Sequence, residues 1–160
     1  MSSESLEQCR EKALRLLENS PHTVAGLKRK LFNAKKFSSQ EIFTILADLL
    51  KAGLLDDRRF AEEYIQYLKS TSIGRFKAIF KMKGKGFSKE IIDDTMERFW
   101  KDGDEDDTAR AADAAKRKWD SLQAKDQPIA KKLQAVARFL ASRGFSMQTI
   151  RAVLDDLKNV

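Results

Sequence analysis

The chain has 160 residues, enough for one well-buried domain or a small array of repeats and too few for two large domains. Its apolar share of 42% is low and its charged share of 34% is high, which is typical of short amphipathic helices that expose most of their circumference. The net charge of +7 favours an acidic surface or a polyanion as the partner. A single cysteine excludes an internal disulfide and a cysteine-cluster metal site.

The chain shows no signal for secretion or membrane insertion. Its first residues, Met-Ser-Ser-Glu-Ser, do not form a charged region that leads into an apolar run, as a signal peptide would. No uninterrupted apolar stretch approaches the ~18 residues that a transmembrane helix needs. We therefore expect a soluble, cytoplasmic protein without a membrane partner.

Apolar side chains recur at helical spacing through the first third of the chain. The pattern predicts a helix over residues 5–19, ended by Pro21, and a second helix capped by Thr23. A third helix carries a buried stripe over residues 42–50. It ends at Gly53, because glycine takes the left-handed conformation that closes a helix without a Cβ penalty.

The next three helices are predicted between Gly53 and residue 100. Asp56 or Asp57 opens the first of them, since a carboxylate can accept from the unpaired amides of the first turn. The second helix is predicted from about Ser72 to Lys83. The third helix begins at a Ser88 cap, after a turn that Gly86 supplies and Phe87 anchors in the core. We expect the core to hold the following aromatic side chains: Phe76, Phe80, Phe87, Phe99, Trp100, Trp119 and Phe139. Tyr67 lies off the apolar stripe and is predicted to be exposed.

The last third opens with five acidic residues within positions 102–107. Acids at a helix start offset the helix dipole, and the run lacks the alternate ligands and closing glutamate of a calcium loop, so we predict no metal there. The helix that follows runs past Trp119. Pro128 suits the first turn of the next helix, and the Phe145-Ser146 pair precedes the last one.

Three copies of one pattern divide the chain. Phe-Ser pairs at Phe37, Phe87 and Phe145 are 50 and 58 residues apart, and the isoleucines at 42, 92 and 150 repeat with the same offsets. Phe32, Met82 and Leu140 also fall into register. The sequence therefore predicts an all-α protein of three tandem three-helix repeats, over residues 1–53, 54–102 and 103–160, stacked into an elongated, curved array.

Basic residues concentrate in the second helix of each predicted repeat. Residues 69–89 hold seven lysines and arginines and no acid. Stacking of the repeats would align these helices into a positive stripe, able to pair with phosphates or with carboxylates of a protein filament. The alternative is a solvated face that keeps the protein soluble. The candidate binding residues are Lys28, Arg29, Lys35, Arg75, Lys77, Lys81, Lys85, Lys131, Lys132 and Arg143.

One segment of the chain resembles a known family. The run Gly-Leu-Leu-Asp-Asp-Arg-Arg-Phe-Ala at 53–61, a glycine at 74 and Lys-Gly-Phe at 85–87 resemble the central repeat of the RecX family, bacterial regulators of the RecA recombinase. The first repeat departs from the pattern, with Lys-Lys-Phe at 35–37. The residues that carry the motif are Gly53, Leu55, Asp56, Asp57, Phe60, Ala61, Gly74, Gly86 and Phe87.

The resemblance implies a non-enzymatic modulator, mainly an inhibitor, and we expect a monomer that needs no cofactor. It would bind the groove of the RecA filament on single-stranded DNA, touching the DNA directly or through the filament, and suppress ATP hydrolysis and strand exchange. The residues leave open a basic helical protein that binds nucleic acid without RecA. An enzyme is disfavoured, because no acid, base and nucleophile converge in any motif, and Gly84-Lys85-Gly86 lacks the strand and the Ser or Thr of a phosphate-binding loop.

Overall fold

The protein is α-helical throughout the part of the chain that a computed structural model describes, residues 2–101 and 105–159. Nine α-helices and no strand occur in these ranges, so the predicted all-α class is confirmed. The helices are α1 (Ser3–Asn19), α2 (Val24–Asn33), α3 (Ser39–Lys51), α4 (Asp57–Lys69), α5 (Arg75–Lys85), α6 (Lys89–Phe99), α7 (Glu105–Leu122), α8 (Ile129–Ser142) and α9 (Met147–Lys158). No helix of the described residues is long and apolar enough to cross a membrane.

Polar side chains cap the helices where the sequence placed them. The Thr23 hydroxyl accepts from the amide of Gly26, and the Ser88 hydroxyl accepts from the amide of Ile91. Ser38 and Glu41 form a reciprocal capping box at the start of α3. Gly53 has a φ of 75°, in the left-handed region that its position after α3 requires.

Helix α5 begins at Arg75, three residues after the predicted start at Ser72. The reason lies in the residues before it, which are engaged elsewhere. Ile73 is buried, the Gly74 amide donates to the Arg143 carbonyl at 2.8 Å, and the Ser72 hydroxyl accepts from Arg117 at 2.7 Å. Tertiary contacts thus replace the first helical turn that the sequence pattern predicted.

The first repeat is out of register by one residue in its second helix. Leu31, not Phe32, is buried like Met82, and Phe32 is 38% exposed. The connection from α2 to α3 is longer than the one from α5 to α6, and Lys35 within it has a φ of 56°. The predicted match of Phe32 with Met82 is therefore wrong. The first repeat has extra residues between its second and third helices, α2 and α3, and these shift the register of α2.

Contacts group the chain into two units. Unit 1 comprises Met1–Glu63 with Met82–Ile92, and unit 2 comprises Tyr64–Lys81 with Asp93–Val160. Helices α4, α5 and α6 each contribute residues to both units. The division into repeats at residues 1–53, 54–102 and 103–160 stays a prediction.

Each unit has its own core. In unit 1, helices α1, α2 and α3 pack pairwise around a cluster that runs from Cys9 to Leu55 and includes Leu27 and Ile45. In unit 2, helices α7, α8 and α9 pack pairwise around a cluster that includes Ala115 and Leu140. Small alanines on α7 let the other two helices approach closely, which explains the alanine-rich sequence of that helix.

Candidate binding surfaces

The turn after α8 packs on the start of α5 in unit 2. The Gly74 amide donates to the carbonyl of Arg143, and the Phe76 amide donates to the carbonyl of Gly144 at 3.0 Å. Gly144 has a φ of 90°, and a Cβ on it would overlap the Lys77 backbone. Two amides at the start of α5, one just before the helix and one in its first turn, have no helical carbonyl to bind and are satisfied by a neighbouring turn.

The turn after α5 makes a related contact in unit 1. The Thr23 hydroxyl, at the start of α2, donates to the Lys85 carbonyl at 2.5 Å. Gly86 has a φ of 97°, and a Cβ on it would come within 2.7 Å of that hydroxyl oxygen. Glycine is required here for its backbone conformation and for its lack of a side chain.

The two aspartates of the family motif have separate structural roles in unit 1. Asp56 accepts from the Arg59 amide at 3.1 Å and so caps its own helix, α4. Asp57 accepts from the Val24 amide at 3.0 Å and so satisfies the first turn of α2. Burial raises the pKa of the Asp57 carboxyl, and the bond from Val24 opposes that rise.

The apolar residues of the motif lie in the interior. Leu55, Ala61 and Phe87 are buried. The ring of Phe60 packs on that of Phe87 with centroids 5.0 Å apart. Leu55, Ala61 and Phe87 thus contribute to the interior of unit 1.

Arg75, Lys77 and Lys81 lie on the part of α5 that belongs to unit 2. Lys81 is exposed and the other two are half-buried, and none of the three forms an ion pair with any described residue. Arg143 follows α8 beside this segment, with its guanidinium 5.4 Å from the Phe139 ring and its buried Nε without a hydrogen-bond acceptor. The structure thus brings these four predicted residues to one region of unit 2.

Two aromatic side chains of α5 do not lie in the core. Phe76 is 54% exposed and Phe80 is 73% exposed, so their predicted burial is wrong. Ala78 and Met82 occupy the buried face instead, and this leaves the phenylalanines one helical turn apart on the outer side of α5. Tyr67 is 61% exposed, as predicted.

Lys131 and Lys132 begin α8, and only the first of them is available for binding. Lys131 is exposed, whereas Lys132 is 8% exposed. Lys132 stands one turn before Val136 and two turns before Leu140, on the buried line of the helix. Its assignment to a basic surface stripe is therefore wrong, because the helical period turns it inward.

The four predicted residues of unit 1 separate into three places. Arg29 and Lys85 line a cavity of about 180 Å³ together with His22 and Lys30. Lys28 lies on the same helix but its ammonium contacts the face of Phe43, 5.8 Å from the ring centroid. Lys35 is exposed in the turn after α2. The alignment of all the basic segments into one stripe stays a prediction.

Comparison with known proteins places this architecture in a family. Residues 104–154 match the family model described as RecX, third three-helix domain. The regulatory protein RecX of Chlorobium phaeobacteroides is 36% identical over 146 residues, which cover 91% of this chain and 90% of that protein. The chain belongs to the RecX family.

Further relatives agree with this assignment. The regulatory protein RecX of Trichlorobacter lovleyi is 30% identical over 148 residues, covering 92% of this chain and 94% of that protein. A crystal structure of RecX from Lactobacillus salivarius superimposes with a TM-score of 0.83 at 18% identity, covering 99% of this chain and all of that one. The RecX family is one of regulatory proteins, in agreement with the prediction that this chain is not an enzyme.

Sequence reasoning missed two polar clusters in this RecX-family chain. His22 has its Nδ1 2.8 Å from the Ser20 carbonyl and its Nε2 2.9 Å from the Lys30 ammonium. Asp107, the last acid of the 102–107 run, is fully buried and accepts from Trp100 and Thr149. Residues 102–104 of that run lie outside the described residues. Neither cluster forms a recognisable sequence motif, although Ser20 and Lys30 lie two and eight residues from His22 and Trp100 lies seven residues from Asp107.

The surfaces of the RecX-family chain suit anion binding better than bond-breaking chemistry. Within the described ranges, no three carboxylate, histidine or cysteine side chains come together as a metal site. The cationic groups on α2 and α5 offer several donors and no proton-accepting base beside a nucleophile.

Proposed function

We propose that this RecX-family protein modulates the RecA recombinase, mainly as an inhibitor. It would bind along the groove of the RecA filament on single-stranded DNA and suppress ATP hydrolysis and strand exchange. The observation that carries the proposal is the match to regulatory protein RecX over 91% of the chain, at 36% identity. A relationship of that extent covers both units and not a single shared motif.

The α5 segment supports a binding role. Arg75, Lys77 and Lys81 carry positive charge without a carboxylate partner among the described residues, and exposed Phe76 and Phe80 lie on the same helix. Aromatic anchors with cationic neighbours are typical of protein interfaces, where the aromatic side chain fills a pocket and the charges select the partner. An acidic groove between filament subunits would satisfy both requirements.

Inhibition follows if this surface binds one state of the filament more tightly than another. A ligand shifts a conformational equilibrium only by its differential affinity for the two states. A helix laid across adjacent subunits would favour the arrangement that it fits. ATP hydrolysis and strand exchange would then fall together, since both need the filament to change conformation.

The deciding experiment measures ATP hydrolysis by RecA on single-stranded DNA as this protein is added. A parallel titration measures binding of the protein to the same DNA without RecA. We expect inhibition at concentrations well below those that coat bare DNA. Inhibition that rises only in step with occupancy of the DNA would contradict filament recognition.

A charge reversal on α5 tests the proposed surface. The triple variant Arg75→Glu, Lys77→Glu, Lys81→Glu should inhibit at least about tenfold more weakly, because charged contacts at interfaces contribute ~1.5–3 kcal/mol each. The control is Lys116→Glu, Lys125→Glu, Lys158→Glu, which makes the same change in net charge at exposed positions of unit 2. Equal loss of inhibition in both variants would eliminate the α5 surface, and far-ultraviolet circular dichroism checks that both remain helical.

A basic helical protein that binds nucleic acid without RecA is the second candidate. The exposed rings beside lysines on α5 favour it, because such pairs also stack on bases and hold the backbone of single strands. Salt separates the two candidates. Binding to RecA filaments that survives at a salt concentration where bare-DNA binding is lost supports the regulator, and simultaneous loss supports the free-standing nucleic-acid binder.

A further inference from the structure

A cationic hollow lies at the start of α2, within unit 1. Its volume is about 180 Å³, and His22, Arg29, Lys30 and Lys85 contribute to its lining. None of the lining residues is acidic. Two of them, Gly26 and Gly84, have no side chain and so leave backbone at its surface. The hollow is large enough for a phosphate group, which is comparable in volume to two or three water molecules.

The bond between His22 and Lys30 fixes the state of the imidazole. An ammonium can only donate, so Nε2 of His22 accepts from Lys30 and Nδ1–H donates to the Ser20 carbonyl. Burial lowers the pKa of His22, and the nearby charges of Lys30 and Lys85 lower it further. Lys30 therefore carries a full positive charge whose hydrogen-bond partner is neutral.

Two of the cations that line the hollow have no carboxylate partner among the described residues. Lys30 and Arg29 form no ion pair with any residue in the described ranges. Asp57, an acid of α4 that contacts the first turn of α2, accepts from the Val24 amide. Like charges gathered around one concavity repel each other, so their arrangement costs free energy that a bound anion would recover.

We propose that this hollow binds a phosphodiester group of single-stranded DNA, with Lys30, Lys85 and Arg29 as the donors to its oxygens. His22 would hold Lys30 in place in the empty site. On arrival of a phosphate, the Lys30 ammonium would turn to the anion and free Nε2 of His22. The inference rests on the proposed function in its choice of strand, since a protein that works on the RecA filament has single-stranded DNA as a neighbour.

A single histidine makes occupancy directly measurable. The chain has one histidine, so its imidazole gives one set of carbon-bound proton signals in a nuclear magnetic resonance spectrum. An anion in the hollow should raise the pKa of His22, because it offsets the two lysine charges that now lower it. Titration of these signals against pH, with and without a twelve-residue oligothymidylate, measures the shift without RecA present.

A second experiment removes the charge of the DNA backbone and keeps the bases. An oligothymidylate of the same length with uncharged methylphosphonate linkages should leave the His22 signals unchanged. Inorganic phosphate should produce the same direction of shift at much higher concentration, since it makes one contact and no neighbouring ones. A shift with the uncharged strand, or tighter binding of inorganic phosphate than of the strand, would overturn the assignment.

Two double variants of unit 1 complete the test. Lys30→Gln with Lys85→Gln should weaken oligothymidylate binding by roughly tenfold to a hundredfold, because two charge-assisted bonds are lost. It should also reduce the dependence of log affinity on log salt by about 0.7, the value for one single-strand phosphate contact. The control, Lys36→Gln with Lys51→Gln, removes the same charge from exposed positions. Equal effects of the two variants would show a diffuse attraction and refute the site.

The outcome is separable from that of the proposed function. If the His22 signals do not respond to the strand but the protein inhibits RecA, the phosphate site is refuted and the proposed function stands. If the His22 response saturates but ATP hydrolysis by RecA is unaffected, the phosphate site stands and the proposed function is refuted.

Discussion

The glycine turns at Gly86 and Gly144 use one sequence pattern to make two different contacts. In unit 1, the turn at Gly86 meets the start of α2 through a side chain, the hydroxyl of Thr23. In unit 2, the turn at Gly144 meets the start of α5 through backbone alone, with amides of Gly74 and Phe76 as donors. A Cβ on Gly74 would lie 2.5 Å from backbone atoms of Phe145. The contact in unit 2 is therefore the closer of the two.

The difference shows how similar helix–turn contacts can leave different surfaces in the two units. Where a side chain mediates the contact, as at Thr23, a hollow remains beside α2 and basic residues line it. Where backbone meets backbone, the helix start is closed, and α5 presents Phe76 and Phe80 outward instead. The exposed side chains thus differ between two places that share the same helix–turn arrangement, as is usual for repeat proteins.

The largest expected effect comes from closing the space at the Gly144 turn. Gly144→Ala should lower the free energy of unfolding by about 3 kcal/mol or more, because a left-handed alanine costs ~1–2 kcal/mol and overpacking adds ~1–3. Urea denaturation measures it. Gly84→Ala is the matched control, since nothing lies within 4 Å of a Cβ there, and it should stabilise the helix by ~0.5–1 kcal/mol. Similar effects of both substitutions would contradict the close contact in unit 2.

The side-chain contact of unit 1 can be broken at Thr23. Thr23→Val removes the helix cap and the donor to the Lys85 carbonyl, and we expect a loss of about 2 kcal/mol, the sum of ~1 for each bond. Ser38→Ala removes a cap alone and should cost about 1 kcal/mol. The same urea titration compares them. A Thr23 variant no less stable than the Ser38 variant would mean that the bond between α2 and the turn contributes nothing.

The exposed phenylalanines of α5 allow a functional test of the difference between the two units. Phe76→Ala with Phe80→Ala should raise the concentration needed to inhibit RecA about tenfold, because aromatic anchors at interfaces contribute ~1–2 kcal/mol or more. Its stability should change little, since both rings are more than half exposed. Phe43→Ala in unit 1, where the ring is 52% exposed, is the control and should inhibit normally. A strong loss of stability in the double variant would instead indicate a packing role.

The smallest expected effect is a pH dependence of stability at His22. Its pKa is lowered by folding, so the unfolded chain binds more protons, and the contribution of His22 to stability is present above its usual pKa of ~6.5 and is lost as pH falls below it. Cationic Lys30 and Lys85 face the ring on one side. A second cavity of unit 1, which His22 also lines, is bordered by Glu18, Asp56, Arg59 and Glu63.

Comparison with a variant isolates this contribution. His22→Gln keeps a neutral acceptor for Lys30 but cannot titrate. The difference in free energy of unfolding between the original protein and this variant should shrink or reverse between pH 7.5 and pH 5. A difference that stays constant over this range would show that the histidine environment does not favour the neutral ring.

Much of the fold was accessible from sequence because local rules govern it. The caps at Thr23 and Ser88 were predictable, since a hydroxyl before an apolar-periodic run satisfies the first amides of a helix. Gly53 and Gly86 were predictable from turn chemistry. Lys132 was misplaced because charge alone was taken as a sign of exposure. Its spacing of four and eight residues from Val136 and Leu140 already indicated the buried face.

By itself, the sequence determined the helical class, the caps, the turns and the family motif of this RecX-family chain. These features depend on residues within a few positions of one another, so their physics is contained in short segments. The tertiary structure alone decided that Asp57 accepts a hydrogen bond from the first turn of α2 and that Phe76 and Phe80 are exposed. It also decided that His22, Lys30 and Lys85 line one hollow. Each of these depends on which segment packs against which, and residues as far apart as Thr23 and Lys85 are joined only when the whole chain has folded.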